Sequence, residues 1–317
     1  MAEKYSREEK MSVVQQKLED GVHQIFSTEK YAEYLKAMSK FPRYSINNCI
    51  LIASQCPDAT LVCGFRKWKK EFNRVVNKGE KGIVILAPSE GKTQVLEKVY
   101  DENRKPVLDE NGKQKEELVE RKYQTFIPVY VFDISQTSGD PVPTLATELN
   151  EKVESFEDIK KIVEEISPVP VYYEHIEGGA LGYFDPHNQK IVIEETLPQL
   201  QMIKTMLHEI AHANLKHGSE EGKYDRSSRE VQAESVAYWV AQMMGLDTSE
   251  YSFGYIYGWS KDKEVSELKE HLELIKTTAD TMSQAIEEKL KVMKEQQKDK
   301  VVAEQANTYI PDHKNHK

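Results

Sequence analysis

The 317-residue chain contains no run of about 18 apolar residues, so nothing in it reads as a membrane-spanning helix. Its first stretch, MAEKYSREEKMSVVQQ, is charged and lacks the apolar centre of a secretory signal, which makes a cytoplasmic location the expectation. Cysteine is scarce: only Cys49, Cys56 and Cys63 occur, all in the first half. An odd number at even spacing fits neither a disulfide framework nor a CxxC zinc knuckle. It fits small buried hydrophobes in a reducing compartment. Aromatic residues make up 9% of the chain and hydrophobic ones 39%, against 30% charged, as in a globular protein with some polar excess. Its length allows two ordinary cores. No internal repeat is visible.

Positive charge is deficient overall, with a net charge of −10, but the deficit is uneven. Residues 1–150 hold 23 basic and 22 acidic side chains, and the remainder holds 20 and 31. The acidity therefore belongs to the second half, and a nucleic-acid face on the first half stays open.

Patterning supplies the organisation. Ser6-Arg7-Glu8-Glu9 has capping-box spacing and opens a helix through about Phe26. A second helix is predicted from Glu29 to Phe41, ended by Pro42, and a third from Ser45 to Gln55. From Leu61 the period changes, and Leu61–Gly64, Gly82–Pro88, Gln94–Tyr100 and Thr125–Ile134 read as strands. The charged segment between the last two carries an Asn111-Gly112 turn signal and is predicted to be an exposed hairpin or loop. Ser135–Thr144 is rich in turn formers and reads as a linker. Beyond it the pattern predicts a helix over Ser155–Ile166 and strands over Val169–Glu174, Ala180–Phe184 and Lys190–Glu194. Helices over Leu197–Lys216, Ser228–Met244 and Leu268–Glu295 follow. The expectation is an α+β fold of two domains: residues 1–135, a linker over 136–150, a second domain over 151–290, and a polar disordered tail over 291–317.

The sharpest chemical signal is Leu207–Ala213, LHEIAHA. His208 and His212 are four residues apart, about 40° apart on one helical face, and can share a zinc ion at about 2.0–2.1 Å. Glu209 is rotated about 100° from His208, which suits a general base better than an equal ligand. Ile210 and Ala211 inside the motif argue against two surface histidines beside a solvated glutamate. Catalytic zinc needs a third protein ligand. Glu230 and Glu234, again four apart on the next predicted helix, both qualify. One would bind the ion and the other would hydrogen-bond a ligand imidazole. The competing readings are that Glu230 closes a capping box with Ser227 and that Glu234 is merely solvated. His217 lies about 140° round the helix from His212 and is expected to face solvent. His175 and His187 receive no role. The hairpin before the helix could offer an edge strand to an extended peptide, or could simply cover the helix.

In the first half, Arg66, Lys67, Lys69, Lys70, Arg74, Lys78 and Lys81 are opposed only by Glu71 and Glu80, with Phe65, Trp68 and Phe72 interleaved. Cations for phosphates and rings for bases are the ingredients of single-strand binding. The structural alternative is that Trp68 and Phe72 form the core face of a helix. Tyr44, Asn47 and Asn48, before an apolar helix, could stack on and hydrogen-bond a base or cap the helix.

These residues carry a resemblance. HEIAH followed by Glu230-x-x-Ala233-Glu234 and by YIYGWSKD resembles the gluzincin-like metallopeptidase domains of the ImmA/IrrE and ArdC type. Tyr44–Pro88 and Val129–Thr137 resemble the single-stranded-DNA-binding domain of ArdC. Both in this order, over roughly residues 5–290, resemble ArdC-like antirestriction proteins and the LtrC-like proteins of conjugative elements. ANLKHGS after the second histidine departs from the bulkier, tryptophan-containing ArdC pattern. The resemblance implies zinc as cofactor, Glu230 as the third ligand, and Tyr44, Asn47, Arg66, Lys67, Trp68, Lys69, Arg74 and Lys78 as DNA-contacting residues. It implies single-stranded DNA and a protein or peptide as partners. Two other functions fit the same residues: a DNA-binding accessory protein with a structural metal site, and an ImmA-like protease that cleaves a repressor.

Overall fold

A computed structural model of the chain describes residues 7–27, 31–142, 156–218, 224–249, 251 and 253–308. The capping-box serine expected at position 6 lies outside them. Helices α1 (Arg7–Ser27), α2 (Tyr31–Ser39) and α3 (Ile46–Gln55) precede strand β1 (Val62–Gly64), helix α4 (Phe65–Phe72) and strands β2 (Arg74–Val76), β3 (Ile83–Lys98) and β4 (Glu116–Asp133). Ser45 caps α3 by accepting the Asn48 amide, and the apolar residues after it enter the core. An antiparallel sheet of order β1-β4-β3 lies against α1 and α3, with Ile83, Ile85 and Val131 turned inward. Two α3 side chains finish the outer edge of that sheet. Asn48 exchanges hydrogen bonds with the Leu86 backbone at 2.8 and 2.9 Å, and Gln55 does so with Val84 at 2.9 and 3.2 Å. Edge amides that would otherwise invite another strand are thereby satisfied.

The two short strands expected near residues 82–100 are one strand of 16 residues, paired with β4 from Ile83↔Val131 to Lys98↔Glu116. Beyond Ser89 the ribbon is largely exposed on both faces, so the alternation that marks a half-buried strand is absent there. At its tip the Asp101 and Asp109 carboxylates each accept two backbone amides, from Asn103 and Lys105 and from Asn111 and Lys113. The matching pentapeptides DENRK and DENGK are a short repeat that escaped the sequence reading. Strand β5 (Thr137–Gly139) pairs antiparallel with β2, so part of the expected linker is sheet. Its anchor is Arg74, whose guanidinium donates to the Thr137 hydroxyl and to the Thr137, Gly139 and Asp140 carbonyls.

The second half begins with α5 (Phe156–Glu165) and strands β6 (Val171–Glu174), β7 (Gly182–Asp185) and β8 (Lys190–Glu194), in sheet order β6-β8-β7. Strand β6 runs parallel to β8 and β7 antiparallel, leaving β7 at an edge beside the next helix. Helices α6 (Gln199–Asn214), α7 (Arg226–Met243), α8 (Ile256–Ser260) and α9 (Val265–Thr308) complete the fold. The tail expected to be disordered from residue 291 is instead helical to Thr308, in a segment rich in Lys, Glu, Gln and Ala, which propagate helices without a buried face.

The α+β, two-domain arrangement has a shared interior. One hydrophobic cluster runs from Val14 in α1 to Leu290 in α9. The Tyr31 hydroxyl of α2 meets Ser235 of α7 at 2.9 Å, and the Tyr31 ring packs on Phe253 at 5.0 Å. Lys276 of α9 donates to the Pro42 carbonyl at 2.9 Å.

Candidate metal centre and nucleic-acid face

Buried Met206, Leu207, Ile210 and Ala211 fix one side of α6 against the core and turn His208 and His212 toward α7. Helix α7 is capped by Asp225, which accepts the Ser228 amide at 2.6 Å, so Glu230 is not spent as a cap. Its carboxylate lies 3.5 Å from His208 Nε2 and 3.7 Å from His212 Nε2, and the two Nε2 atoms are 3.1 Å apart. Ligand bonds of about 2.0–2.1 Å in a tetrahedron place neighbouring donor atoms about 3.3 Å apart, close to all three separations. The donor set of two imidazoles and a carboxylate, all within 4.8 Å, therefore fits a divalent cation.

Each imidazole is held from behind. His208 Nδ1 meets Glu234 at 2.9 Å and His212 Nδ1 meets His217 Nδ1 at 2.8 Å. Glu234 thus takes the place expected for whichever glutamate does not face the ion. His217, expected to face solvent, is buried and bonded to Gln232 at 2.9 Å, because the chain leaves the helix at Leu215 and its backbone folds back to the His212 carbonyl. Burial works against a charged His208, yet its bonds to Glu230 and Glu234 hold its pKa up to about 10. The same bonds from His208 and His212 hold Glu230 well below the usual carboxylate range. Burial raises Glu209, opposed by the nearby imidazoles and by the Phe184 amide that donates to it.

Glu209 lines a cleft of about 280 Å³ with His208, Glu234, Leu181, Gly182 and Tyr251. Leu181 and Gly182 belong to or adjoin the edge strand β7. Tyr251, whose buried hydroxyl finds no hydrogen-bond partner among the described residues, has no signal in the sequence beyond being aromatic.

The expected DNA-contacting residues do not form one face. Trp68 is 0% exposed and donates to the Phe132 carbonyl at 2.9 Å, so it cannot stack on a base. Arg74 is engaged by β5 as described. The Tyr44 hydroxyl donates to Val62, and Asn47 is half-buried in α3. Arg66, Lys67, Lys69 and Lys78 are exposed, with Lys67 paired to Glu71 at 3.3 Å and Lys69 to Asn73 at 3.2 Å. Sequence reasoning missed the outward face of β4. Phe126, Tyr130 and Phe132 alternate there with core-facing Val129 and Val131, and Phe65 packs on Phe132 at 6.0 Å. Phe65, Phe126 and Tyr130 are exposed by 59, 49 and 62%.

Comparison with known proteins agrees with this division. Residues 5–132 match the N-terminal domain of anti-restriction factor ArdC, and residues 167–251 match the IrrE N-terminal-like domain of the M78 peptidase group. An uncharacterized protein of Bacillus anthracis is 26% identical over 313 residues, covering 90% of this chain, which spans only 52% of that relative. Two crystal structures of the antirestriction protein ArdC from plasmid R388 were compared. The metal-free form gives a TM-score of 0.40 at 19% identity, covering 78% of this chain and 84% of that one. The Mn(II)-bound form gives 0.47 at 15% identity, covering 88% and 98%.

Proposed function

We propose that the chain, whose residues 5–132 match the N-terminal domain of ArdC and whose residues 167–251 match an IrrE-like metallopeptidase domain, belongs with the ArdC-like antirestriction proteins and is a zinc-dependent peptidase that also holds single-stranded DNA. In this reading it works in the cytoplasm to protect or establish DNA transferred by a conjugative plasmid or transposon. The observation that carries the metal half is the triangle of His208, His212 and Glu230 donor atoms with tetrahedral edge lengths. A cation bound there supplies Lewis acidity toward a scissile carbonyl. Glu209, kept basic by burial and set beside the cleft, takes the proton of the attacking water and returns it to the leaving amine. The edge of β7 lies where an extended peptide could pair with it. Metal analysis tests this reading: His208→Ala, His212→Ala and Glu230→Ala lose the ion. Glu209→Gln keeps it and loses peptide cleavage.

The DNA half rests on the exposed rings of Phe65, Phe126 and Tyr130 together with the exposed cations Arg66, Lys67 and Lys81. Phe126 and Tyr130 share one face of the strand four residues apart, about 13 Å along it, so each offers its ring to a separate splayed base. A second reading, a DNA-binding accessory protein with a structural metal, is favoured by the bond between Glu209 and the Phe184 amide, which holds the carboxylate. It predicts no cleavage by the metal-loaded protein and identical behaviour of Glu209→Gln.

A further inference from the structure

The metal centre is continued by a buried polar chain that leaves the domain matched over residues 167–251 and ends on α9. From His212 Nδ1 it passes to His217 Nδ1 at 2.8 Å, from His217 Nε2 to Gln232 Oε1 at 2.9 Å, and from Gln232 Nε2 to His271 Nδ1 at 2.8 Å. His271 Nε2 then lies 3.9 Å from the Glu267 carboxylate. Gln232 is 0% exposed, and His217 and His271 are buried. The His271 ring is boxed by Trp259 at 4.9 Å and Tyr224 at 5.3 Å.

Valence fixes the direction of this chain. An amide oxygen only accepts and an amide nitrogen only donates, and a neutral imidazole does one with each nitrogen. With Gln232 Nε2 donating, His271 Nδ1 is bare and its proton sits on Nε2, facing the Glu267 carboxylate. With Gln232 Oε1 accepting, His217 carries its proton on Nε2 and presents a bare Nδ1 to His212. His212 must then donate from Nδ1, which leaves its Nε2 lone pair free. That atom is the one beside Glu230 and His208 Nε2. Turning the Gln232 amide over reverses every link: the proton moves to His212 Nε2, where it excludes a cation, and a bare His271 nitrogen meets the Glu267 carboxylate. The far carboxylate therefore opposes the reversed arrangement.

We propose that His217, Gln232 and His271 are positioning residues, forming a one-way hydrogen-bond chain, oriented from its far end by the nearby Glu267 carboxylate, that holds His212 in the tautomer that can ligate a metal. Helix α9 thereby becomes part of the metal centre. This inference rests on the metal centre proposed above, and its test separates the two.

The experiment measures Zn²⁺ affinity of the full chain by competition with a chromophoric chelator, with circular dichroism as the check on folding. Outer partners of metal-bound histidines typically contribute about 10–100-fold to affinity. Gln232→Leu is expected to lose affinity in that range. Gln232→Glu, which accepts from His217 and from His271 alike and so keeps the same tautomer at His212, should bind at least tenfold tighter than Gln232→Leu. A merely structural glutamine would predict damage from both. Glu267→Gln, at the half-exposed end where folding is not at stake, should weaken binding severalfold. Imidazole ¹⁵N shifts of the metal-free protein should place the His217 proton on Nε2. Equal affinity of the parent and Gln232→Leu, or a His217 proton on Nδ1, would overturn the chain. Absence of any Zn²⁺ binding by the parent would instead remove the metal centre.

Discussion

Replacing Trp68 and replacing Tyr130 should produce opposite phenotypes, because one ring is walled in and the other is bare. Trp68 packs on Phe72 at 5.2 Å and donates to the Phe132 carbonyl. Trp68→Ala opens a cavity and strands that carbonyl. Truncations of this kind lose about 3–5 kcal/mol. Over 317 residues at about 2.1 cal/mol/K each, that lowers the melting temperature by about 5–8 °C. Tyr130 lies over Gly82, where an added Cβ would sit 2.9 Å from the tyrosine Cβ, and is otherwise solvated. Tyr130→Ala should leave stability within about 0.5 kcal/mol. A stacked base is worth about 1–3 kcal/mol. Tyr130→Ala and Phe126→Ala should therefore each weaken oligothymidine binding about 5–150-fold. Thermal melts and fluorescence anisotropy with a labelled oligonucleotide at two salt concentrations read both quantities. The reasoning fails if the Tyr130→Ala, Phe126→Ala double variant binds as tightly as the parent while a folded Trp68→Phe does not bind.

Other expectations follow from the same geometry. Glu234→Ala frees His208 Nδ1 and should weaken metal binding by about 10–100-fold while leaving the ion stoichiometry at saturation unchanged, measured by chelator competition. Arg74→Ala should lower the melting temperature by unpinning β5, yet keep the salt dependence of DNA binding, since its guanidinium is occupied by carbonyls. Glu194 accepts the Ile176 amide and the Thr196 amide and hydroxyl, which lowers its pKa to about 2. A depressed carboxylate stabilises the fold above the ordinary carboxylate range and loses that contribution as pH falls toward 2. Glu194→Gln should accordingly flatten the acid limb of melting temperature against pH over that window. Chelation should abolish peptide cleavage and spare oligonucleotide binding.

The candidate metal site was legible because helical spacing puts His208 and His212 on one face of α6 and Glu230 and Glu234 on one face of α7, and both helices were predicted within a few residues of their observed ends. Outer contacts were not legible. His217 sits 140° from His212 on an ideal helix by about 100° per residue, and only the break after Asn214 brings it back. Trp68 was misread because a short helix with lysines around one aromatic residue looks the same whether the ring faces DNA or the sheet. Its partner, the Phe132 carbonyl, is 64 positions away. The long ribbon escaped because strand pairing is non-local and its outer part has no buried face to impose alternation. Thr137–Gly139 looked like a linker because what holds it, the pairing with β2 and the Arg74 fork, consists of tertiary contacts about 63 positions away.

An interior without a dividing wall limits how such a protein can be recombined. A foreign N-terminal segment grafted ahead of residue 156 would have to bring a tyrosine that reaches Ser235, a ring for Phe253 and a carbonyl for Lys276. Without them it would leave the Ser235 side of α7, the helix of Glu230 and Glu234, facing water. The two halves must consequently change together, each substitution at the shared surface constraining the next.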